Sequence, residues 1–385
     1  MIILAALACF FALFALVMTL INLRCWQRAA PTTGTPNSPP TDLVTICIPA
    51  RNEERNITSI VRSLLAGSHT EIEVLVYDDG STDSTPTLLA QLAAQDPRVR
   101  SAATTPLPDG WNGKQHACWR MSQQARGPWM LFTDADVRFA PTAIANTLAT
   151  AQRLNIPMVS GFPREIVGSL SEAMTIPMIF FILLSYLPFP RMRSTIDPGA
   201  SAGCGQFLFI RRDAYDASGG HEGFKSSMHD GIKLPRAVRR AGMRTDLIDV
   251  THECECRMYH NIHEVWRGFG KNAFEGLGSV GLLLFITLVH LLAHVAPWAT
   301  LAWLGIQYVR EGPLPARAGT LALLCAGAVM CALAQRIIIL RRTAHPLWIA
   351  ALHPVSVTFI TVIQWWSYYL HLRGKREWKG RVASA

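Results

Sequence analysis

The sequence predicts an α/β protein: a mostly parallel sheet with helices on both faces, set between an N-terminal transmembrane anchor and C-terminal transmembrane helices. Three observations carry this prediction. Only 16% of the 385 residues are charged, against about 25% in soluble domains. The deficit is concentrated, since Met1–Leu23, Gly278–Val309, Ala318–Gln335 and Thr343–Leu372 contain no Asp, Glu, Lys or Arg. Between the first two of these runs, short β-branched segments alternate with helical ones, the rhythm of a parallel sheet with crossover helices. Together they exclude an ordinary soluble protein, a disordered chain and a small disulfide scaffold.

The first run, residues 1–23, is about 34 Å long as a helix and matches a bilayer core of about 30 Å. It lacks the basic n-region and small-residue cleavage site of a signal peptide, so it reads as a signal anchor. Arg24 and Arg28 follow it and place the next domain in the cytoplasm, at the plasma (inner) membrane. A Pro/Thr-rich linker, residues 24–41, leads into that domain, 42–275. A C-terminal membrane region, 276–372, holds about three spans and ends in a basic tail, 373–385. Gly278–Val309 is about 48 Å as one helix, too long for one upright span and too short for two. A single span there would place the basic tail outside, against the positive-inside rule; two short or re-entrant segments around Pro297 would return it. The sequence leaves both open. The apolar stretch 173–190, broken by Pro177, Pro188 and Pro190, fits a buried core helix and an interfacial helix equally.

The net charge of +9 raises nucleic acid as a partner. Much of the excess flanks the apolar runs, and no stripe of interleaved aromatic and basic residues appears, so no nucleic-acid binding is expected. Nine cysteines include several in or beside apolar runs and a lone C-x-C at Cys254 and Cys256, without a second pair at zinc spacing.

Within 42–275 the expected strands are 43–50, 73–80, a short one near 99–103, and 129–136. Helices are expected at 53–65, after Asp83, and near 114–125. In such a sheet ligands bind at the C-terminal strand ends, where Pro49-Ala50-Arg51, Asp78-Asp79-Gly80 and Asp134-Ala135-Asp136 should converge. Acids at strand ends also serve as turn or cap residues, and Ser81 or Asp83 fits a cap. The Asp134/Asp136 pair differs, because two like charges after a buried strand repel unless a cation joins them. A hard divalent ion, Mg²⁺ or Mn²⁺, carried with a diphosphate answers that repulsion.

VTICIPARNEERNI, VLVYDDGSTDST and MLFTDADVRFAP resemble, in this order, the three N-terminal signatures of family 2 glycosyltransferases. The resemblance implies the GT-A fold, a Rossmann-like nucleotide-diphosphosugar-binding sheet. GWNGKQHAC (110–118), MYHNIHEVWRGFGKN (258–272) and REWKGR (376–381) are most similar to membrane-bound members that glycosylate carotenoids and hopanoids. By this resemblance, Pro49, Arg51 and Glu53 line the nucleotide site, and Asp78 and Asp79 meet base and ribose. Gly113 and Lys114 approach the nucleotide and its phosphates; Asp134 and Asp136 hold metal and sugar diphosphate. Family members carry an acidic pair at a helix start after the acceptor loop. Here Asp230 matches the second acid, the catalytic base, and His229 stands in the place of the first. Gly203 and Gly205 suit an acceptor loop or simple turns. Residues 260–275 have the apolar spacing of an interfacial helix.

Three readings follow. The first is an inverting hexosyltransferase moving sugar from a UDP-sugar to a membrane lipid hydroxyl of the carotenoid, hopanoid or polyprenoid kind. The second is a processive polysaccharide synthase. It is disfavoured because those enzymes carry Q-x-x-R-W after the base, whereas this chain has Glu264-Val265-Trp266-Arg267-Gly268. The third is a non-catalytic scaffold, disfavoured by the joint presence of Asp79, Asp134, Asp136 and Asp230.

Overall fold

Helices and strands follow one another in the order that hydrophobic patterning sets. The computed structural model describes residues 1–30 and 42–373, with the backbone of 377–378 and 381–382. Linker residues 31–41, most of the basic tail and the REWKGR motif lie outside the described residues or their side chains. The strands are β1 Val44–Ala50, β2 Ile72–Asp78, β3 Val99–Ser101, β4 Trp129–Phe132, β5 Val137–Phe139, β6 Met158–Ser160, β7 Arg164–Glu165, β8 Leu208–Arg211, β9 Thr245–Leu247 and β10 Cys254–Cys256. The helices are α1 Ile2–Cys25, α2 Ile57–Leu65, α3 Thr85–Gln95, α4 Gly113–Gln124, α5 Ala143–Leu154, α6 Leu170–Tyr186, α7 Phe189–Ser194, α8 Arg212–Ala217, α9 Asp230–Arg240, α10 Ile262–Leu277, α11 Val280–Val289, α12 Ala296–Glu311, α13 Ala316–Arg342 and α14 His353–Leu372.

The chain divides into two compact units. The sheet unit comprises the described residues of Trp26–Ile166 and Phe189–Met258. Its seven-stranded sheet has the order β3-β2-β1-β4-β8-β6-β9, and a second sheet has the order β5-β10-β7. β1 runs parallel to β2 and β4, while β8 is antiparallel to both β4 and β6. All seven residues of β1 are buried, as expected for a strand covered on both faces. Ile46, Ile48, Val74, Val76 and Leu131 pack on one face, and Cys47, Leu75, Met130 and Leu208 on the other.

Pro49 sits inside this central strand, where a missing N–H normally breaks a ladder. The β1–β4 pairing ends at Cys47↔Phe132, and the next bond on that side is from the Thr133 N–H to the Cys47 carbonyl (3.1 Å). By the alternation of a strand, the Pro49 nitrogen faces the same side, beyond the point where β4 has left the ladder. The sheet opens there, and that opening is where a ligand crevice belongs.

Several boundaries differ from the sequence-based expectation. α2 starts at Ile57 rather than at residue 53, because the Glu53 N–H donates to Thr85 Oγ1 (2.8 Å) and the Glu54 N–H to Asp83 Oδ2 (3.1 Å). Those bonds hold the preceding turn against the loop after β2. β4 stops at Phe132, so Asp134 and Asp136 lie in the turn to β5 instead of on the strand.

The helical unit comprises Met1–Cys25, Val167–Pro188 and Tyr259–Arg373. The apolar stretch near 173–190 and the helix near 260–275 therefore belong with the apolar helices, whereas the sequence boundary 42–275 joined them to the sheet. Asn22 Nδ2 donates to the Leu184 and Leu187 carbonyls (2.8 Å each), tying α1 to the end of α6. On α10 the Phe274 N–H donates to Ser367 Oγ of α14 (3.0 Å). Among the described residues, four helical stretches are long and apolar enough to cross a membrane: Ile2–Cys25, Val280–Glu311, Ala316–Arg342 and Leu347–Leu372. Val280–Glu311 is continuous through a π-helical segment, His290–Val295, immediately before Pro297. A widened turn there accommodates the proline that would otherwise clash with the preceding turn.

Back in the sheet unit, Arg239 is 1% exposed. It donates to Thr245 Oγ1 (2.8 Å) and to the carbonyls of Thr245 (2.8 Å), Thr195 (3.0 Å), Asp197 (3.2 Å) and Met192. This fastens residues 192–197 onto α9 and β9. Arg239→Met would strand these buried acceptors, at about 1–3 kcal/mol for each one left unsatisfied. We expect it to lower the thermal midpoint of the detergent-solubilised protein by several degrees; an unchanged midpoint would contradict the clamp.

Candidate active site

Parallel β1, β2 and β4 direct three connecting loops to one edge of the sheet. Ala50 and Asp78 are register partners, so Arg51 and Asp79 leave the sheet side by side. Arg51 Nη1 donates to the Asp79 carbonyl, approaches the Gly80 carbonyl (3.5 Å), and lies 3.7 Å from Asp79 Oδ2. Asn52, with φ 55°, accepts at its side-chain oxygen from the Thr82 N–H (2.8 Å). Asp78 Oδ1 accepts from the Ser81 N–H (3.2 Å) and from its hydroxyl, a turn that Gly80 permits at φ 67°. Glu53 accepts at Oε2 from Asn56 (2.9 Å). The acid pair thus divides its work: Asp78 builds the turn and Asp79 faces Arg51. Both line a cavity of about 510 Å³ with Tyr77, Leu89 and Thr104.

The second half of the site is organised by the start of α4. Asn112 caps it, its Oδ1 accepting from the Lys114 N–H (2.9 Å) and the Gln115 N–H (3.4 Å). The Asn112 N–H donates to the Lys225 carbonyl (2.7 Å), and Gln115 Nε2 donates to the Ser227 carbonyl (3.2 Å). These bonds bring the segment before α9 to the helix that carries Gly113 and Lys114. Lys114 Nζ lies 2.7 Å from Asp134 Oδ1 and 3.0 Å from Asp230 Oδ2, so one ammonium joins two acids from distant motifs.

Electrostatics follow from this contact. Burial alone would favour a neutral lysine, yet Asp134 and Asp230 hold the Lys114 ammonium well above its ordinary pKa. Burial likewise works to raise the Asp230 carboxyl, and Lys114, with His221 beyond it, brings it below its usual value instead. Asp136 has no ion pair of this kind among the described residues, although the Arg138 guanidinium feels its charge. Burial, then Asp134 and Glu53, push Asp136 up to about 7, and its Oδ1 has no hydrogen-bond partner among the described residues.

A metal is tested against these groups. Among the described residues no set of three or more His, Cys, Asp or Glu is placed to hold an ion. The two carboxylates are hard oxygen donors, and the orphaned oxygen of Asp136 suits a cation. They fit an ion completed by substrate phosphates and water, the usual arrangement for Mg²⁺. They do not make a self-sufficient protein cage.

Sequence reasoning missed Glu165 and left the role of the glycines open. Glu165, on β7, is buried with neither carboxyl oxygen hydrogen-bonded among the described residues; burial, then Asp136 and Asp134, raise it well above the ordinary range. A Cβ on Gly205 would overlap Asp230 Oδ1 and come within 3.0 Å of Lys114 Nζ. A Cβ on Gly231 would lie 2.5 Å from the Gly203 carbonyl. The G-x-G segment is therefore a close backbone approach to the acid, beyond a simple turn. His229 occupies the N-cap position of α9 without a side-chain capping bond.

With this geometry described, comparison with known proteins is informative. Residues 45–219 match the model for Glycosyl transferase family 2. A 4,4'-diaponeurosporenoate glycosyltransferase of Staphylococcus aureus (strain USA300) is 26% identical over 245 residues, 61% of this chain and 62% of that protein. The match thus spans under two thirds of this curated relative's length. Among solved structures, a mannosyltransferase from Pyrobaculum calidifontis, determined with GDP-Man and Mn²⁺, aligns over 97% of this chain and 99% of its own, with TM-score 0.55 and 18% identity. That likeness is one of fold. Strand order and fold likeness agree on a GT-A-like sheet, and residues 45–219 match the Glycosyl transferase family 2 model.

Proposed function

We propose that the protein is an inverting glycosyltransferase moving a hexose from a nucleotide-diphosphosugar, a UDP-sugar, to a hydroxyl of a membrane lipid such as a carotenoid, hopanoid or polyprenoid. The observation that carries this reading is the Lys114 bridge between Asp134 and Asp230. It brings a diphosphate-binding acid, a cation for phosphate and an ionised base into one cluster.

Direct displacement needs the acceptor oxygen to attack the anomeric carbon while the bond from that carbon to the diphosphate breaks. The hydroxyl proton passes to Asp230, and the nucleoside diphosphate leaves with the bonding electrons. Asp230 suits the role because Lys114 keeps it ionised despite burial. An incoming diphosphate would compete for Lys114, loosening its hold on Asp230 and raising the basicity of that carboxylate as the donor binds. Asp134 and Asp136 would hold the divalent ion, Mg²⁺ or Mn²⁺, which when bound neutralises charge on the departing diphosphate. Asp78 and Asp79 line the cavity offered to base and ribose, with Arg51 acting through Asp79. Pro49 and Gly113 shape the approach, and Glu53 adds negative charge near Asp136.

The lipid acceptor and the membrane setting are supported by four spanning candidates and by a relative named for glycosylating 4,4'-diaponeurosporenoate. α1 buries Ala5, Ala8, Ala12 and Ala15 while exposing Leu4, Leu7, Phe10 and Leu13, the small-in, large-out pattern of a helix packed in lipid. Arg24 and Arg28 support a cytoplasmic domain at the plasma (inner) membrane.

Membranes containing the protein, given radiolabelled UDP-sugars, should pass label into a small organic-extractable lipid. Label in an insoluble polymer would favour a synthase, and label in neither fraction would overturn transfer from these donors. Asp230→Asn should lower turnover by about 10²–10⁴-fold while nucleotide binding survives; full turnover would remove Asp230 as the base. Asp136→Ala should weaken Mn²⁺-dependent donor binding, measured by calorimetry with and without the ion. Gly205→Ala should reduce turnover at least tenfold with a nearly unchanged melting temperature, because its methyl group displaces Asp230.

A further inference from the structure

Beyond β3 the chain does not form another strand, yet it continues to be held as if it did. The Ala102 N–H donates to the Val76 carbonyl (2.7 Å), the last ladder bond on that edge. At the next residue a side chain takes over. Gln124 Oε1 accepts from the Ala103 N–H (2.8 Å), and its Nε2 donates to the Ala103 carbonyl (3.1 Å). Two residues further, the Tyr77 hydroxyl accepts from the Thr105 N–H and donates to the Thr105 carbonyl (3.1 Å each). One glutamine and one tyrosine thus each supply a donor and an acceptor to alternate residues, as a neighbouring strand would.

Thr104 lies between the two clamped residues. Its backbone N–H and C=O make no hydrogen bond among the described residues, and it lines the 510 Å³ cavity together with Tyr77, Asp78 and Asp79. Ala103 is not part of that lining. Where Ala103 and Thr105 turn their amides to the clamps, alternation turns the Thr104 amide the other way.

We propose that residues 102–107 are a nucleobase-reading strap: the backbone N–H and C=O of Thr104 pair with the hydrogen-bonding edge of the base, and Gln124 and Tyr77 are the positioning residues that hold them there. This inference rests on the reading of the site as one for a nucleotide-diphosphosugar. It adds that base recognition depends on two side chains that need not touch the base. A clamped backbone pair has little freedom left to lose on binding, so it reads the base at lower entropic cost than a free loop would.

The test uses the full-length protein in detergent with Mn²⁺ present, and calorimetric titration with UDP, GDP and inorganic pyrophosphate. Tyr77→Phe and Gln124→Ala should each weaken the preferred nucleoside diphosphate about five- to tenfold, the size of one or two neutral hydrogen bonds. Pyrophosphate affinity should be unchanged, and in turnover the KM for donor should rise while kcat stays within about twofold. Thr104→Pro, which removes the N–H, should lose the preference for nucleotide over pyrophosphate. Parent-like nucleotide affinity in Tyr77→Phe, Gln124→Ala and Thr104→Pro would overturn the strap while leaving the glycosyltransferase reading intact. Equal loss of nucleotide and pyrophosphate affinity would also overturn it, by showing general damage to the site. If the parent protein binds neither UDP nor GDP, the functional reading and the strap fall together.

Discussion

The site depends on one contact, the ammonium of Lys114 between Asp134 and Asp230. Three buried or half-buried charges in one place are costly unless they neutralise one another. The contact meets that cost and also assembles the site, since its members come from the start of α4, the turn after β4 and the start of α9. Removing Lys114 would leave Asp230 buried without its nearest cation. Removing either acid would leave the ammonium paired with the one remaining carboxylate. Neighbouring features serve this contact: the Asn112 cap aims the helix, the bond from Gln115 to Ser227 brings in the α9 segment, and Gly205 leaves room for the carboxylate.

Much of this was legible in the sequence because the chemistry sits where strands end. An apolar run that ends in charged residues identifies β1, β2 and β4 together with Arg51, Asp79 and Asp134, since the same local pattern makes both strand and crevice. Asp230 was legible only by likeness to a family, because nothing local separates it from an ordinary helix-start acid. Glu165 was not legible at all. Its burial arises from β7 pairing with β10, some ninety positions away, and no window of sequence contains that pairing. Gly205 and Gly231 were hidden for the same reason: each is required by contact with a distant atom, while neither has the positive φ that betrays a turn glycine.

The apolar segments show the complementary limit. Composition located the spanning candidates, but it left residues 173–190 between two roles because prolines suggested the stretch was too broken to be a long helix. α6 runs through Pro177 nonetheless. Arg336, fully buried, donates to the Pro177 carbonyl (3.2 Å), and Gln335 Nε2 reaches Ser185 Oγ (2.7 Å) and Thr19 Oγ1 (2.8 Å). Polar residues inside an apolar bundle are costly and specify their partners closely. Here they fix α6 against α1 and α13 in a way hydropathy cannot express.

The two kinds of position therefore differ in what they reveal. Acids at strand ends announce themselves because repulsion between like charges has to be relieved by something, and the candidates for relief are few: a lysine, a metal, or a proton. Lys114 relieves Asp134 and Asp230 within the chain. Asp136, pushed up to about 7, lies beyond that relief. A D-x-D pair in which one acid is paired directly with a lysine and the other stays raised despite Arg138 nearby is an incomplete arrangement, and a metal–diphosphate would supply what is missing on both sides. It would bring a cation to Asp136 and an anion to Lys114. On the proposed function, donor binding and base activation would then be one electrostatic exchange, because the ammonium that keeps Asp230 ionised would be the group the diphosphate draws away.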